Sequence, residues 1–186
     1  MRYPPCGRLT TLPKVRALSC VRADTAQGYD MKLKTNNMDI WVFHRGEEEP
    51  MYLLLRTSKQ KANRWFFGAQ FWQIVGGFSK AGEDAVECAT RLLDSVDLKP
   101  TGIWASEHVY TYYNARRKCI EIVPVFAAEV AEPSLIELTW EHEDYGWFSA
   151  EECMERVHFR GLRDGLRCTR EYVTEAPQNP SVLRLL

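Results

Sequence analysis

The chain has 186 residues, 45% of them hydrophobic and 26% charged, a balance that excludes wholesale disorder, a collagen-like or coiled-coil chain and a membrane bundle. Its formal net charge of −1 hides a split: residues 1–23 carry Arg2, Arg8, Lys14, Arg16 and Arg22 and no acid, while the rest carries 19 basic and 25 acidic groups. A basic tail of +5 therefore precedes a body of −6.

Residues 1–35 read as a basic N-terminal extension, flexible or targeting. Being rich in Arg and free of acids, its first part suits a mitochondrial transit segment. It equally suits an arm attracted to phosphate or to a partner, or an upstream extension of no consequence, with Met31 as the true start. Pro4, Pro5, Gly7 and Pro13 interrupt any secretory apolar segment, and no apolar run approaches the roughly 20 residues that span a bilayer. The six cysteines are scattered without a C-x-x-C pair, which reads as reduced thiols. The expectation is a cytoplasmic protein, or a mitochondrial one if the tail is an address, with no membrane partner.

The body reads as one domain over residues 36–175, followed by a C-terminal tail, 176–186. Residues 39–44 and 51–56, rich in aliphatic and aromatic side chains, predict two strands of a hairpin around an acidic turn. Residues 57–70 read as a polar loop carrying Trp65, Phe66 and Phe67. Residues 71–75 form a short strand ending on a turn at Gly76 and Gly77. Val86, Ala89, Leu93 and Val96 recur at helical spacing, so residues 83–96 predict a helix, stopped before Pro100. Long strands follow around 102–112 and 118–130, joined by a turn that carries Arg116, Arg117 and Lys118. A strand before Ser149, a short helix at 150–157 and a helix around 163–172 complete the order. The fold class expected is α+β: a sandwich with a mixed β-sheet between helices.

The most informative stretch runs from Gly76 to Lys99. Gly77, Glu83, Arg91 and Leu93 match G-x5-E-x7-R-E-U-x-E-E-x-G-U, where U is apolar. "FWQIVGG" before it resembles the same family's entry strand. "EHEDYGWFSAEE" followed by a closing helix resembles its C-terminal segment. On these three segments the chain resembles the Nudix hydrolase superfamily (MutT-like), with a degenerate box. The resemblance implies a Nudix-like α/β/α sandwich. It also implies Mg²⁺-assisted attack of water on a diphosphate linkage in a nucleoside diphosphate joined to another moiety. By resemblance, Glu83 and Arg91 are the catalytic pair that braces the loop against the helix, and Gly76 and Gly77 shape the turn against the substrate.

Five of the nine specified positions depart from the pattern. Leu92, Ser95 and Val96 stand where the family gathers its metal-binding glutamates, and Leu98 and Lys99 replace a Gly and an apolar residue. Leu and Val offer Mg²⁺ no oxygen. Glu83 and Asp97 are the remaining metal candidates near the box, while Glu107, Glu121, Glu141 and Glu143 lie outside it. Glu87, one turn before Arg91, is expected to pair with it. Trp65 and Trp72 read either as core or as a stacking surface for a purine or pterin ring. Two functions follow. One is a Mg²⁺-dependent pyrophosphohydrolase of weakened or lost activity. The other is an inactive Nudix-fold module holding a nucleotide, RNA or a protein partner.

Overall fold

Residues 40–43 (Ile, Trp, Val, Phe) form an unbroken apolar run because their strand is covered on both faces. The computed structural model describes residues 31–133, 135–176 and 181–186. In it that run belongs to β2 (Asn37–Arg45), which is central to one mixed eight-stranded sheet. Strand β2 pairs antiparallel with β3 (Pro50–Thr57) and with β5 (Val75–Phe78), and parallel with β7 (Cys119–Val130). On its other edge β7 pairs antiparallel with β6 (Pro100–Asn114), and its first residues also pair in parallel with β1 (Lys32–Lys34). Strand β3 pairs antiparallel with β4 (Trp72–Gln73) and β8 (His142–Phe148).

Alternation divides this sheet into two cores. One face presents Ile40, Val42, Leu53, Leu55 and Ala128 to the helix α2 (Ala85–Asp94), which contributes Cys88, Ala89 and Leu93. The opposite face presents Trp41, Phe43, Leu54 and Val125 to α3 (Ala150–Arg156) and α4 (Arg160–Thr169). The α+β sandwich expected from the pattern is the architecture found. Gly161 and Gly165 let α4 lie close to the sheet: a Cβ on Gly161 would stand 2.4 Å from the Tyr110 ring. Trp41 Nε1 donates to the Leu162 carbonyl at 3.2 Å, and Thr169 Oγ1 donates to Ser106 Oγ at 3.0 Å across the same interface.

Several local expectations change. Residues 57–70 contain a helix, α1 (Lys59–Trp65), capped by Ser58 accepting from the Lys61 amide. Its polar sequence buries only Ala62 and so carries no amphipathic stripe. Gly76 and Gly77 do not make a turn; both lie inside β5. The closing helix starts at Arg160 and continues past Thr169 as a π-helical turn, Arg170–Thr174. The sheet also reaches further toward both termini than hydropathy indicates, since residues 32–34 form β1. Near the C-terminus the Leu185 amide donates to the Ile103 carbonyl at 2.7 Å. Met31–Leu186 forms one unit, whereas the basic tail of residues 1–30, with the targeting and partner readings attached to it, lies outside the described residues. Among the described residues no helix is long and apolar enough to cross a membrane.

Candidate functional site

The box begins with a loop that its own charges close. Asp84 caps α2, accepting from the Glu87 amide, while the Glu87 carboxylate accepts from the Asp84 amide, a reciprocal capping box. Glu87 is thereby engaged at the helix entry, and the expected pairing with Arg91 is made by Glu83 instead. Arg91 Nε and Nη2 donate to the two Glu83 oxygens at 2.5 and 2.7 Å. The Lys80 amide donates to the same carboxylate at 2.8 Å, and Arg91 Nη2 reaches the Phe78 carbonyl at 2.9 Å. These donors hold the Glu83 carboxyl down at about 2, the Arg91 guanidinium contributing most. Glu83→Gln removes one arm of the fork. Hydrogen exchange is expected to show a faster-exchanging Lys80 amide with unchanged protection in β7; equal protection at Lys80 would mean the brace does not hold the loop.

The glycines of β5 serve close approach. An ideal Cβ on Gly76 would stand 2.2 Å from Asp39 Oδ1, and one on Gly77 would stand 2.7 Å from Leu92 Cδ2. Alternation therefore gives Gly76 to one face of the sheet and Gly77 to the α2 face.

The three positions expected to carry glutamates are used differently. Leu92 lies against Gly77 and the α2 core, and Val96 is buried in that core. The Ser95 hydroxyl is turned back onto the Leu92 carbonyl at 2.7 Å. The helix ends at Asp94, and the turn that follows it closes one residue before the box's glycine position. Asp97 takes a left-handed φ of 57°, and the Leu98 amide donates to the Leu93 carbonyl at 3.1 Å, with both leucines buried. This is a Schellman-type stop with its apolar contact, and it places Val96 and Leu98 inside. Asp97 and Glu83 flank opposite ends of α2, a helix of ten residues and so about 15 Å long. Asp94 is taken by Lys99 at 2.5 Å, Glu141 by Lys61 at 2.6 Å, and Glu143 lies 3.6 Å from Arg56. Among the described residues no three His, Cys, Asp or Glu side chains are placed to hold a metal. The donor set at the box does not fit the Mg²⁺ that the resemblance implies, because two of its three ligand positions are apolar and packed.

On the α4 side of the sheet a second constellation comes together. Tyr110 donates to Asp39 Oδ2 at 2.5 Å, and burial nonetheless pushes the Asp39 carboxyl up to about 6. Tyr112 stands next along β6, opposite Glu121 of β7. Glu121 is fully buried, with Arg117 Nη1 donating to its Oε1 at 2.7 Å. The Arg117 guanidinium also lies 4.7 Å from the centre of the Phe78 ring, so the β6–β7 turn reaches across to β5. Of the two tryptophans, Trp72 is half-buried edge-on to Phe148 at 5.4 Å. Trp65 has the guanidiniums of Arg64 and Arg116 over its ring at 5.1 and 4.6 Å. Asp39, Tyr110 and Glu121 were not legible as a site. They are separated by up to 82 residues in sequence, and no motif joins them.

A two-core α/β/α sandwich with a glycine strand, a bidentate Glu–Arg brace and a following helix defines a Nudix-type domain. The NUDIX domain model matches residues 34–166, more than half of the chain, and the chain belongs to the Nudix family. Three solved structures share the fold. A putative Nudix hydrolase from Listeria monocytogenes has a TM-score of 0.63 at 17% identity, covering 74% of this chain and 93% of its own. The Nudix domain of Shewanella oneidensis NrtR, complexed with ADP ribose, scores 0.59 at 18% identity, covering 77% and 89%. The E. coli dihydroneopterin triphosphate pyrophosphohydrolase scores 0.57 at 15% identity, covering 78% and 99%. None of the curated proteins compared with the chain matches it.

Proposed function

We propose that this chain is a Nudix-fold binding module that holds a nucleotide-like ligand without Mg²⁺-dependent hydrolysis at the box. The observation that carries this reading is the apolar packing of Leu92 and Val96. These are two of the three positions where hydrolytic members are expected to place metal-bound carboxylates. The ADP ribose bound by the similar Nudix domain of NrtR supports a ligand of the nucleoside diphosphate class. The α4 face of the sheet, from Gly76 to Tyr112, offers the acceptors, hydroxyls and Arg117 that such a ligand requires.

One observation favours the alternative, a hydrolase of nucleoside diphosphate derivatives: the Glu83–Arg91 brace is fully formed. A single experiment separates the two. ADP-ribose and a panel of nucleoside diphosphates are titrated by calorimetry with Mg²⁺ or with EDTA, and the same mixtures are assayed for phosphate and nucleoside monophosphate. Binding that EDTA leaves unchanged, without product, is the expected result. Turnover that appears with Mg²⁺ and disappears in Glu83→Gln would establish the hydrolase instead.

A further inference from the structure

At the end of the sheet where α1 meets the β6–β7 turn, cations and aromatic rings are exposed together. The Arg64 guanidinium lies 5.1 Å from the centre of the Trp65 ring and 5.7 Å from that of Trp140, and the Arg116 guanidinium lies 4.6 Å from Trp65. Arg116 also donates to the Arg64 carbonyl, and Ser58 Oγ donates to the Trp140 carbonyl at 2.7 Å. Three segments distant in sequence are thus pinned into one surface. Among the described residues no carboxylate pairs with Arg64 or Arg116, whereas Lys61 of α1 and Arg117 of the turn are taken by Glu141 and Glu121. A guanidinium stacked on a ring keeps its in-plane N–H donors for an anion.

Phe67, two residues beyond Trp65, is wholly exposed and holds a left-handed φ of 54°, a costly conformation for a bulky residue. The fold neither buries that ring nor relaxes its backbone. Trp65 and Trp140 are 42% and 46% exposed. Arg and large aromatic side chains are those in which the energy of protein interfaces concentrates.

A surface of opposite chemistry lies at the β2–β3 turn. Glu47, Glu48 and Glu49 are exposed, and among the described residues none forms an ion pair. Half-buried Pro50 and Met51 follow them. Three carboxylates beside a proline and a methionine match two guanidiniums beside three aromatic rings, acceptor to donor and apolar group to ring. The two surfaces do not meet within one copy, because β3 runs eight residues, about 26 Å, from this turn to Ser58 at the start of α1.

We infer that the Glu47–Glu49 turn of one copy docks on the Arg64, Trp65 and Arg116 surface of a second copy. Each copy carries both halves, so two copies lying antiparallel along β3 make the contact twice and close as a dimer. Exposed ion pairs are individually weak, so the contact gains most from covering Trp65, Phe67 and Trp140 and stays sensitive to salt. This holds whatever ligand the domain binds.

Sedimentation velocity of the full chain over a concentration series is the test. A mass above that of one chain is expected at about 50 mM NaCl, with association weakened roughly tenfold at about 500 mM. Arg64→Glu with Arg116→Glu leaves both surfaces acidic, and Glu47→Lys with Glu48→Lys and Glu49→Lys leaves both basic. Each of these proteins alone is expected to be monomeric. Mixed, they regain opposite charges at both contacts, and a complex of the two is expected. A mixture that stays apart, or self-association that persists in either variant, overturns the inference. So does an unmodified chain that is monomeric throughout. If that monomer binds a labelled single-stranded oligonucleotide, and Arg64→Glu with Arg116→Glu abolishes the binding, the surface belongs to nucleic acid instead. Should a multiple variant fail to fold, Phe67→Asn decides. Asn accepts the left-handed backbone, so folding is kept while association is expected to fall roughly tenfold; unchanged association overturns the inference.

Discussion

Val96→Glu, which restores a family glutamate to the box, is expected to cost about 3–5 kcal/mol of stability, because it places an uncompensated charge in a packed core. Val96 is 3% exposed and belongs to the cluster of Ile40, Leu93, Leu98 and Phe126. The cations nearest to it along the chain are already engaged, Lys99 by Asp94 and Arg91 by Glu83. The other two restorations are milder. Leu92→Glu removes a half-buried contact with Gly77, and its carboxylate has a route to solvent. Ser95→Glu sets a negative charge at the C-terminal end of a helix, which costs about 0.3–1 kcal/mol. Urea denaturation of the three single variants measures the order. A Val96→Glu protein within 1 kcal/mol of the parent, gaining stability on addition of Mg²⁺, would mean that α2 can still open as a metal face.

The reason these costs differ was only half visible beforehand. That positions 92, 95 and 96 lack acids is plain from the residues. That Val96 is interior depends on where α2 stops, and Asp97 gives no glycine signal for the left-handed residue it supplies. The β2–β3 hairpin and the β6–β7 pair were legible because their runs of β-branched and aromatic residues exceed what a helix face needs. Helix α1 was not, since a seven-residue helix burying one alanine looks like a polar loop. At Gly76 and Gly77 the residue type suggests a turn, whereas the close approach of Asp39 and Leu92 is what keeps them bare. Glu83 and Arg91 were legible because their eight-residue spacing is local. Asp39, Tyr110 and Glu121 meet only through sheet register, which a single sequence does not display.

Two buried groups on different parts of the sheet should give stability–pH profiles of opposite slope, each unmasked by removing the other. His142 accepts from Gln73 Nε2 at 2.6 Å, and burial, helped by the charge of Lys61, pushes its imidazole down from 6.5 to about 4. The folded protein keeps this ring neutral while the unfolded chain takes up a proton below pH 6.5, so its contribution is present above 6.5 and lost as pH falls toward 4. Asp39 behaves inversely. Its carboxyl is raised by burial from 3.8 to about 6, so the folded state retains a proton that the unfolded chain releases. Its contribution is present below 3.8 and lost as pH rises toward 6. Each amounts to about 3 kcal/mol, and over pH 4–6 the two largely cancel. Asp39→Asn should therefore leave a protein whose stability falls as pH drops from 6.5 to 4. His142→Gln should leave one whose stability falls as pH climbs from 4 to 6. Glu83, held near 2, changes its contribution only below 4.5 and is common to all three proteins. Urea midpoints at pH 4, 5, 6 and 7 read the slopes. Profiles of both variants running parallel to the parent would show that neither group titrates differently in the folded protein. Crossing profiles would show that the Asp39 carboxyl changes charge near pH 6 in the folded protein.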